Sequence, residues 1–448
     1  GGVMPLSATA GGGRTVQTLL SGPAAGVQAT GYVLGEQQGW AQVVTMDMGG
    51  TSCDIAFIKD SKPLEVTEGM IAERRLDVPA FDISTISAGG GTIARLTAAN
   101  FISVGPDSAG ADPGPVCYGN NGDRPTVTDA DLVCGFLNPG FLLGGETTLD
   151  HDGAVAAIKK TIADPMEISA EESAAGIVRL INARMADEIR VQAAKKVIDL
   201  SSFTLVPFGG AGPVHAAMVA DELNIPRILI PPNPGAFSAL GLLCSDVVHD
   251  YIRSDICEIS QLKANRAENY FLELEKQAST DLTDEGLGED EHQFIRDLDL
   301  RYAGQGYEIR TPLHNLGTMP MTTEGLDRVQ ERFHDLHQTL HGHSAHDQEI
   351  EVVSYRVRVR VPVPKQDLPK FDIPNGKTLP VGTRKVTFDG RETHLAAVYN
   401  RDTIKSSAIE GPAIIEQFDS TTVFPPGWTA KLDCFGNIIG ERGSQHGR

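Results

Sequence analysis

The run Asp47-Met48-Gly49-Gly50-Thr51-Ser52-Cys53-Asp54 combines residue types that phosphate chemistry needs. Gly49 and Gly50 let the backbone turn tightly and aim several N–H groups at one point, an anion nest. The Thr51 and Ser52 hydroxyls add donors toward phosphate oxygens. Asp47 ends a predicted strand and could hold a hydrated Mg2+, which favours carboxylate, water and phosphate oxygens together. Asp54 could order a second water or the loop itself. A plain hairpin turn is the alternative reading, and the two flanking aspartates weigh against it.

A second run, Gly209-Gly210-Ala211-Gly212-Pro213-Val214-His215, follows a predicted strand and opens a predicted helix. That is where α/β sheets take ligands, and glycines there admit a flat ring or a phosphate close to the backbone. Pro213 suits a first helical turn. Together the two runs suggest two walls of one nucleotide cleft. Ser87-Ala88-Gly89-Gly90-Gly91-Thr92-Ile93, ahead of a helical pattern at Ile93–Ala99, reads either as another N–H nest or as a tight structural loop. Asp82, Asp107, Asp112, Asp123, Asp129 and Asp131 supply carboxylates nearby, and spacing alone selects no general base among them. His334, His337, His341, His343 and His346 lack a His-Glu-x-x-His arrangement and read as a surface cluster rather than a metal site. Arg301-Tyr302-Ala303-Gly304-Gln305-Gly306-Tyr307-Glu308 reads as a bulged strand at a domain contact, or as a way to turn Arg301 or Gln305 toward a substrate. No residue is singled out as catalytic.

The elements that must position these groups follow from periodicity. Strands are expected at Gln42–Met46 and Ile55–Ile58, a loop-rich stretch over 60–140, and a long helix over Ala170–Leu200. Ser169 and Glu172 have capping-box spacing at its start. Ile177, Leu180, Ile181, Met185, Ile189, Ala193 and Val197 form one apolar stripe along it. A strand at Phe203–Phe208, a helix at Val214–Leu223 and a strand at Arg227–Ile230 complete an α/β alternation. Residues 262–290 and 323–342 look helical. Glu351–Val363 alternates as a half-buried strand, and short strands follow from Lys377. The expected domains are 1–250, an α+β segment 251–350, and a β-rich segment 351–448.

Composition narrows the partners. With 38 basic against 59 acidic residues the chain carries a formal charge of −21, which repels nucleic acid and anionic membranes. No apolar run is long enough for a transmembrane helix. Its 6 cysteines form no Cys-x-x-Cys pair and read as free thiols in a reducing cytoplasm.

Several segments, in order, resemble the hydantoinase A/oxoprolinase family: Leu20–Gly26, Asp47–Asp54, Ser87–Ala94, Gly110–Pro115, Thr126–Leu132, Asn182–Ala186, Val206–His215, Arg301–Glu308, Gly411–Glu416 and Pro425–Trp428. The resemblance implies an actin-like (ribonuclease H-like) ATPase fold, of which this chain would hold the second half. It implies that Asp47, Gly49, Gly50 and Thr51 match a phosphate-binding loop, and that Gly209, Gly210 and Gly212 match an adenosine-binding turn. The family's first Asp-x-Gly-Gly-Thr loop is absent, so the chain reads as the C-terminal portion of a longer protein, with half of the ATP cleft missing. The implied activity is ATP-dependent opening of a cyclic amide such as a hydantoin or 5-oxoproline, with ATP and Mg2+. A hydantoinase B-like subunit or fused domain would be the partner, in an oligomer. Ketone carboxylation and a nucleotide switch or non-catalytic scaffold are the competing expectations.

Overall fold

The computed structural model describes residues 21–443 apart from 67–68, 72–73, 77–79, 141–142, 146, 289–290, 317–319 and 366. The Gly-rich opening of the chain lies outside the described residues. Among the described residues two compact units emerge, one from residues 21–244 together with 367–443, the other from 245–365.

The first unit is built on a nine-stranded mixed sheet. Val43–Met48 runs parallel to Thr204–Phe208, which runs parallel to Arg227–Ile230. On its other side Val43–Met48 pairs antiparallel with Cys53–Lys59, which in turn pairs with Lys62–Pro63 and Ile83–Ile86. The two-residue period of a strand divides the side chains between two cores. Val44, Met46 and Met48 join Cys53, Ile55 and Phe57 under helices Val127–Val133, Ala170–Lys195 and Gly212–Leu223. Val43, Ala56, Ile58, Val206 and Phe208 face helices Ser21–Ala29 and Phe237–Leu243. Asp47 and Asp54 share this second face by the same parity.

The helix Ala170–Lys195 carries the expected Ser169/Glu172 capping box. Its buried stripe is Ile177, Ile181, Met185, Ile189 and Ala193, whereas Leu180 lies partly outside and Val197, past the helix end, is 93% exposed. The helical pattern at Ile93–Ala99 is a strand instead: Thr92–Leu96 pairs with Ile102–Ser108. Ile93 also bridges to Thr126, so β-branched residues at 92 and 93 follow the extended preference that the apolar spacing obscures. The β-rich tail folds onto the first unit. Ile438–Arg442 pairs antiparallel with Arg227–Ile230, and Trp428–Leu432 pairs with it in turn. This covers what would otherwise be an open edge beside buried Ile228, Leu229 and Ile230. Gly382–Val386, His394–Asn400, Ala413–Glu416 and Thr421–Phe424 form a separate four-stranded sheet.

The second unit is a four-stranded antiparallel sheet in the order Val247–Glu258, Ile350–Val361, Gln293–Tyr302, Ile309–Pro312. Helices Ala264–Asp284 and Thr323–His341 bury their apolar stripes with it, around Phe271, Leu282, Phe333, Tyr355 and Val357.

Helices Ser21–Ala29 and Phe237–Leu243 cross so closely that a Cβ on Gly241 would lie 1.7 Å from the Ala25 carbonyl oxygen. Backbone cannot yield as a side-chain tip can, so Gly241→Ala should cost about 2–4 kcal/mol. Denaturant unfolding of the two proteins checks this, and a loss under about 0.5 kcal/mol would contradict the tight crossing.

Candidate nucleotide site

Asp47 and Asp54 face each other as direct partners across the antiparallel pair. Between them Gly49 N–H donates to the Ser52 carbonyl at 3.1 Å and closes the turn. Among the described residues the Gly50 and Thr51 amides donate to nothing, and the Thr51 and Ser52 hydroxyls have no partner. Gly50 and Thr51 are exposed, and a Cβ on Gly49 or Gly50 would enter open space. The turn therefore offers donors and room on one side.

The triple glycine holds this turn from behind. Gly90 N–H donates to the Gly49 carbonyl at 3.0 Å, and Gly91 N–H to the Gly50 carbonyl at 2.6 Å. Gly89 N–H donates to Thr92 Oγ1 at 2.8 Å. A Cβ on Gly89 would sit 2.5 Å from the Thr51 nitrogen. The N–H groups at 89–91 are thus used internally, and the segment is a buried structural loop rather than a second anion nest.

Gly209 closes the site from the side. It adopts φ +76°, and a Cβ there would lie 2.4 Å from the Met48 carbonyl oxygen and 2.6 Å from Asp47 Oδ1. Ala211 N–H donates to the Met48 carbonyl at 3.1 Å. The two glycine runs, 160 residues apart in sequence, meet at adjacent parallel strands. Gly210 is exposed on this edge, whereas Gly212 is buried in the helix start, where a Cβ would meet the Met46 carbonyl oxygen at 3.2 Å. Pro213 occupies the first helical turn as expected.

Burial raises both carboxylates. It pushes Asp47 up to about 6; the Asp54 charge adds to this, and the Ser238 hydroxyl, donating to Asp47 Oδ2 at 3.3 Å, opposes it. Asp54 is raised by burial against a hydrogen bond from Thr85 that lowers it. Neither carboxylate forms an ion pair among the described residues. Two half-buried acids with no cationic side chain suit a hydrated divalent cation. The Cys53 thiol is fully buried and raised well above its usual range, which makes it a poor nucleophile.

Sequence reasoning missed the third strand's turn. Ser238 starts from Pro231-Pro232-Asn233-Pro234-Gly235, directly after Arg227–Ile230, and such a turn at a strand's carboxyl end was a usable signal. Asp419, whose carboxylate accepts from Gly235 N–H at 2.8 Å, comes from 184 residues away and had no local signal.

The remaining runs lie elsewhere. The histidines are not a surface cluster throughout: His334 and His337 are buried. Tyr302 Oη and His334 Nδ1 are 2.7 Å apart, and His337 Nδ1 hydrogen-bonds the His343 carbonyl at 2.7 Å. Among the described residues no group of three or more His, Cys, Asp or Glu side chains is arranged to hold a metal by itself. Tyr302 to Gln305 forms the turn of a hairpin rather than a bulged strand. Arg301 pairs with Glu351, and Gln305 reaches His337 Nε2 at 3.0 Å.

Residues 1–251 match the Hydantoinase/oxoprolinase family model, and residues 258–438 match the Hydantoinase/oxoprolinase C-terminal domain. An uncharacterized protein of Methanocaldococcus jannaschii is 39% identical over 451 residues, covering 96% of this chain and 62% of that protein. Caprolactamase subunit alpha of Pseudomonas jessenii is 34% identical over 432 residues, covering 94% of this chain and 61% of that protein. Among solved structures, the nucleotide-free acetone carboxylase superposes with a TM-score of 0.81 at 28% identity, over 95% of this chain and 61% of that one. The ATP-dependent caprolactamase from Pseudomonas jessenii gives 0.77 at 32%, over 94% and 61%. The chain thus spans about three fifths of the length of these two relatives.

Asp47 holds its proton more tightly when folded, at about 6 against an ordinary 3.8. The native chain therefore binds more protons between these values, and its stability falls as pH rises through that window. The penalty is absent below about pH 4 and complete above about pH 6. Asp47→Asn should thus be more stable than the parent by roughly 1–2 kcal/mol at pH 7.5, without nucleotide or divalent cation, after allowance for partial solvent screening. Near pH 4 the gain should vanish. Urea unfolding at both pH values decides it, and an equal gain at both would exclude charge burial as the cause.

Proposed function

The chain belongs to the hydantoinase/oxoprolinase family, and from that premise we propose that it is the nucleotide-handling part of an ATP-dependent enzyme that opens cyclic amides. One observation carries this reading. A turn with two undonated amides lies between two facing carboxylates, and Gly209 closes it from the side.

In this reading the Gly50 and Thr51 N–H groups and the Thr51 and Ser52 hydroxyls donate to phosphate oxygens. Asp47 would hold Mg2+ through water or directly, with Asp54 ordering its water shell. Held there, Mg2+ would supply charge neutralisation for phosphoryl transfer. Gly209 and Gly210 let adenosine approach the backbone, and Gly212 lets the helix behind them pack close. The sheet order supports an actin-like, ribonuclease H-like half: three antiparallel strands, then two parallel ones reached through helices.

Amides are poor electrophiles, and no Ser-His-Asp, Cys-His or metal-cluster arrangement stands out among the described residues. The chemistry that fits is transfer of the γ-phosphoryl to the substrate's carbonyl oxygen. The carbonyl oxygen forms a bond to phosphorus as the bond to ADP breaks. Water then adds to the activated carbon, and the ring C–N bond breaks with its electron pair going to the protonated nitrogen, which leaves an acyl phosphate. A second water at the acyl carbon releases phosphate with the substrate's oxygen. Phosphoryl transfer demands positioning and charge neutralisation more than a protein nucleophile, which is what the turn offers. The similarity to acetone carboxylase favours a second reading, in which a ketone is activated for carboxylation. A hydantoinase B-like subunit or fused domain, assembled as an oligomer, would complete the enzyme, consistent with relatives named as subunits. None of the described cysteines forms a disulfide, and among the described residues no helix is long and apolar enough to cross a membrane.

Heavy oxygen in the substrate carbonyl tests the proposal on the complete protein with its partner. The label should appear in released phosphate, and Asp47→Ala should lower turnover by roughly a hundredfold with little unfolding. Unlabelled phosphate, with ATP consumed stoichiometrically and no carbonyl exchange with water, would instead assign ATP to a conformational step.

A further inference from the structure

Three turns meet at the carboxyl edge of the central sheet. Gly209 N–H donates to the Pro234 carbonyl at 2.9 Å, linking the turn after Thr204–Phe208 to the turn after Arg227–Ile230. The third turn, Gln417–Ser420, belongs to the tail and joins Ala413–Glu416 to Thr421–Phe424. Asp419 Oδ2 accepts from Gly235 N–H at 2.8 Å, and Ser420 Oγ donates to the Gly210 carbonyl at 3.1 Å. A Cβ on Gly235 would lie 2.9 Å from the Asp419 side chain, so the two turns are in direct contact.

This third turn is itself held. Gln417 N–H donates to the Ser420 carbonyl at 3.1 Å. The Gln417 side chain donates to the Pro232 carbonyl at 3.1 Å and to Asp419 Oδ1 at 2.6 Å. Its Oε1 accepts from Arg401 Nη1 at 2.6 Å. Arg401 is 8% exposed and also donates to the Ile230 and Gly436 carbonyls, at 3.2 and 2.8 Å. A buried guanidinium held by neutral oxygens is costly, and a hydrophobic residue would fill that volume at less cost. What Arg401 adds is order: one planar fork ties the third strand's end, the Gln417 turn and the Gly436 turn together.

Lateral position indicates which end of a nucleotide this edge would meet. In the sheet the strand ending at Ile230 lies two places from the strand bearing Asp47, roughly 10 Å between strand axes. Ser238, past the turn, comes back to Asp47 at 3.3 Å, and the contact of Asp419 with Gly235 lies lateral to the phosphate-facing turn, where a nucleoside would extend. The Asp419 carboxylate also makes this side unsuited to phosphate, whereas ribose hydroxyls and base edges are neutral.

We propose that the Gln417–Ser420 turn, ordered by Arg401, forms the nucleoside-side wall of the site, with Asp419 as a positioning residue that fixes Gly235 and Ser420 as one that fixes Gly210. The inference rests on the nucleotide reading above and adds the tail to it.

Calorimetry with the complete protein and Mg2+ separates the two ends of the ligand, using ADP and inorganic tripolyphosphate as probes. Asp419→Ala should weaken ADP about tenfold while leaving tripolyphosphate within about twofold. In turnover it should raise the KM for ATP with kcat at saturation within about threefold, the signature of lost uniform binding. Ser420→Ala removes only a hydroxyl and should show the same selectivity at about threefold, which keeps the test open if Asp419→Ala fails to fold. Unchanged ADP affinity in both variants, or equal weakening of both probes, would overturn the inference while the nucleotide reading stands. Parent protein that binds neither probe would overturn the nucleotide reading and the inference with it.

Discussion

Close backbone approach at the carboxyl edge of one sheet is the constraint on which the rest of the site depends. Gly209 lies where a Cβ would overlap the Met48 carbonyl and the Asp47 carboxylate. Gly89 lies where a Cβ would overlap the Thr51 nitrogen. At both places a neighbour's polar backbone occupies the space a side chain would need. The turns can then share hydrogen bonds, as Gly90 and Gly91 do with the Gly49 and Gly50 carbonyls. The result spends the carbonyls of the Gly49-Gly50 turn on the protein and leaves its amides facing outward. An anion site needs that asymmetry, because backbone donors bind a phosphate only when their own carbonyls point away.

The same packing explains why two carboxylates are held half-buried and opposed. Strand parity puts Asp47 and Asp54 on one face, and the antiparallel register makes them direct partners. Like charges directly opposite are destabilising in a sheet. Helices Ser21–Ala29 and Phe237–Leu243 cover this face, and the second contributes Ser238 as a single hydroxyl donor to Asp47. The fold thus maintains an unfavourable arrangement that a cation would relieve. Such local conflict between stability and arrangement is expected at functional sites rather than in structural turns.

Much of this was legible in the sequence because the signals are local. The capping box at Ser169 and Glu172, the strand–turn–helix pattern around Gly209, and the paired strands around Gly49-Gly50 each depend on residues within a few positions of one another. The misreadings share the opposite character. Ile93–Ala99 has apolar spacing compatible with a helix, but pairing with Ile102–Ser108 and the Thr126 bridge decides for a strand. Polar His334 and His337 look like surface residues until Tyr302 and the His343 carbonyl supply their buried partners. The tail's attachment to Arg227–Ile230 spans more than 200 residues, and no local pattern encodes which edge it will cover. Asp419 was invisible for the same reason.

A chain with a formal charge of −21 has no long-range attraction for a nucleotide's phosphates, and the site gains none from nearby ion pairs. Arg401, beside the edge, is not a substitute: its guanidinium is spent on carbonyl and amide oxygens, and burial pulls it down to about 10. In the proposed reading, attraction would come from short-range sources, namely backbone amides at the turn and a cation held by Asp47 and Asp54. Short-range sources act only where geometry is right, so a nucleotide would be held by shape and by its metal rather than drawn in by field. Binding of this kind is governed by how well the three turns are ordered, which gives a distant segment such as Gln417–Ser420 leverage over a site whose phosphate-facing residues it never touches.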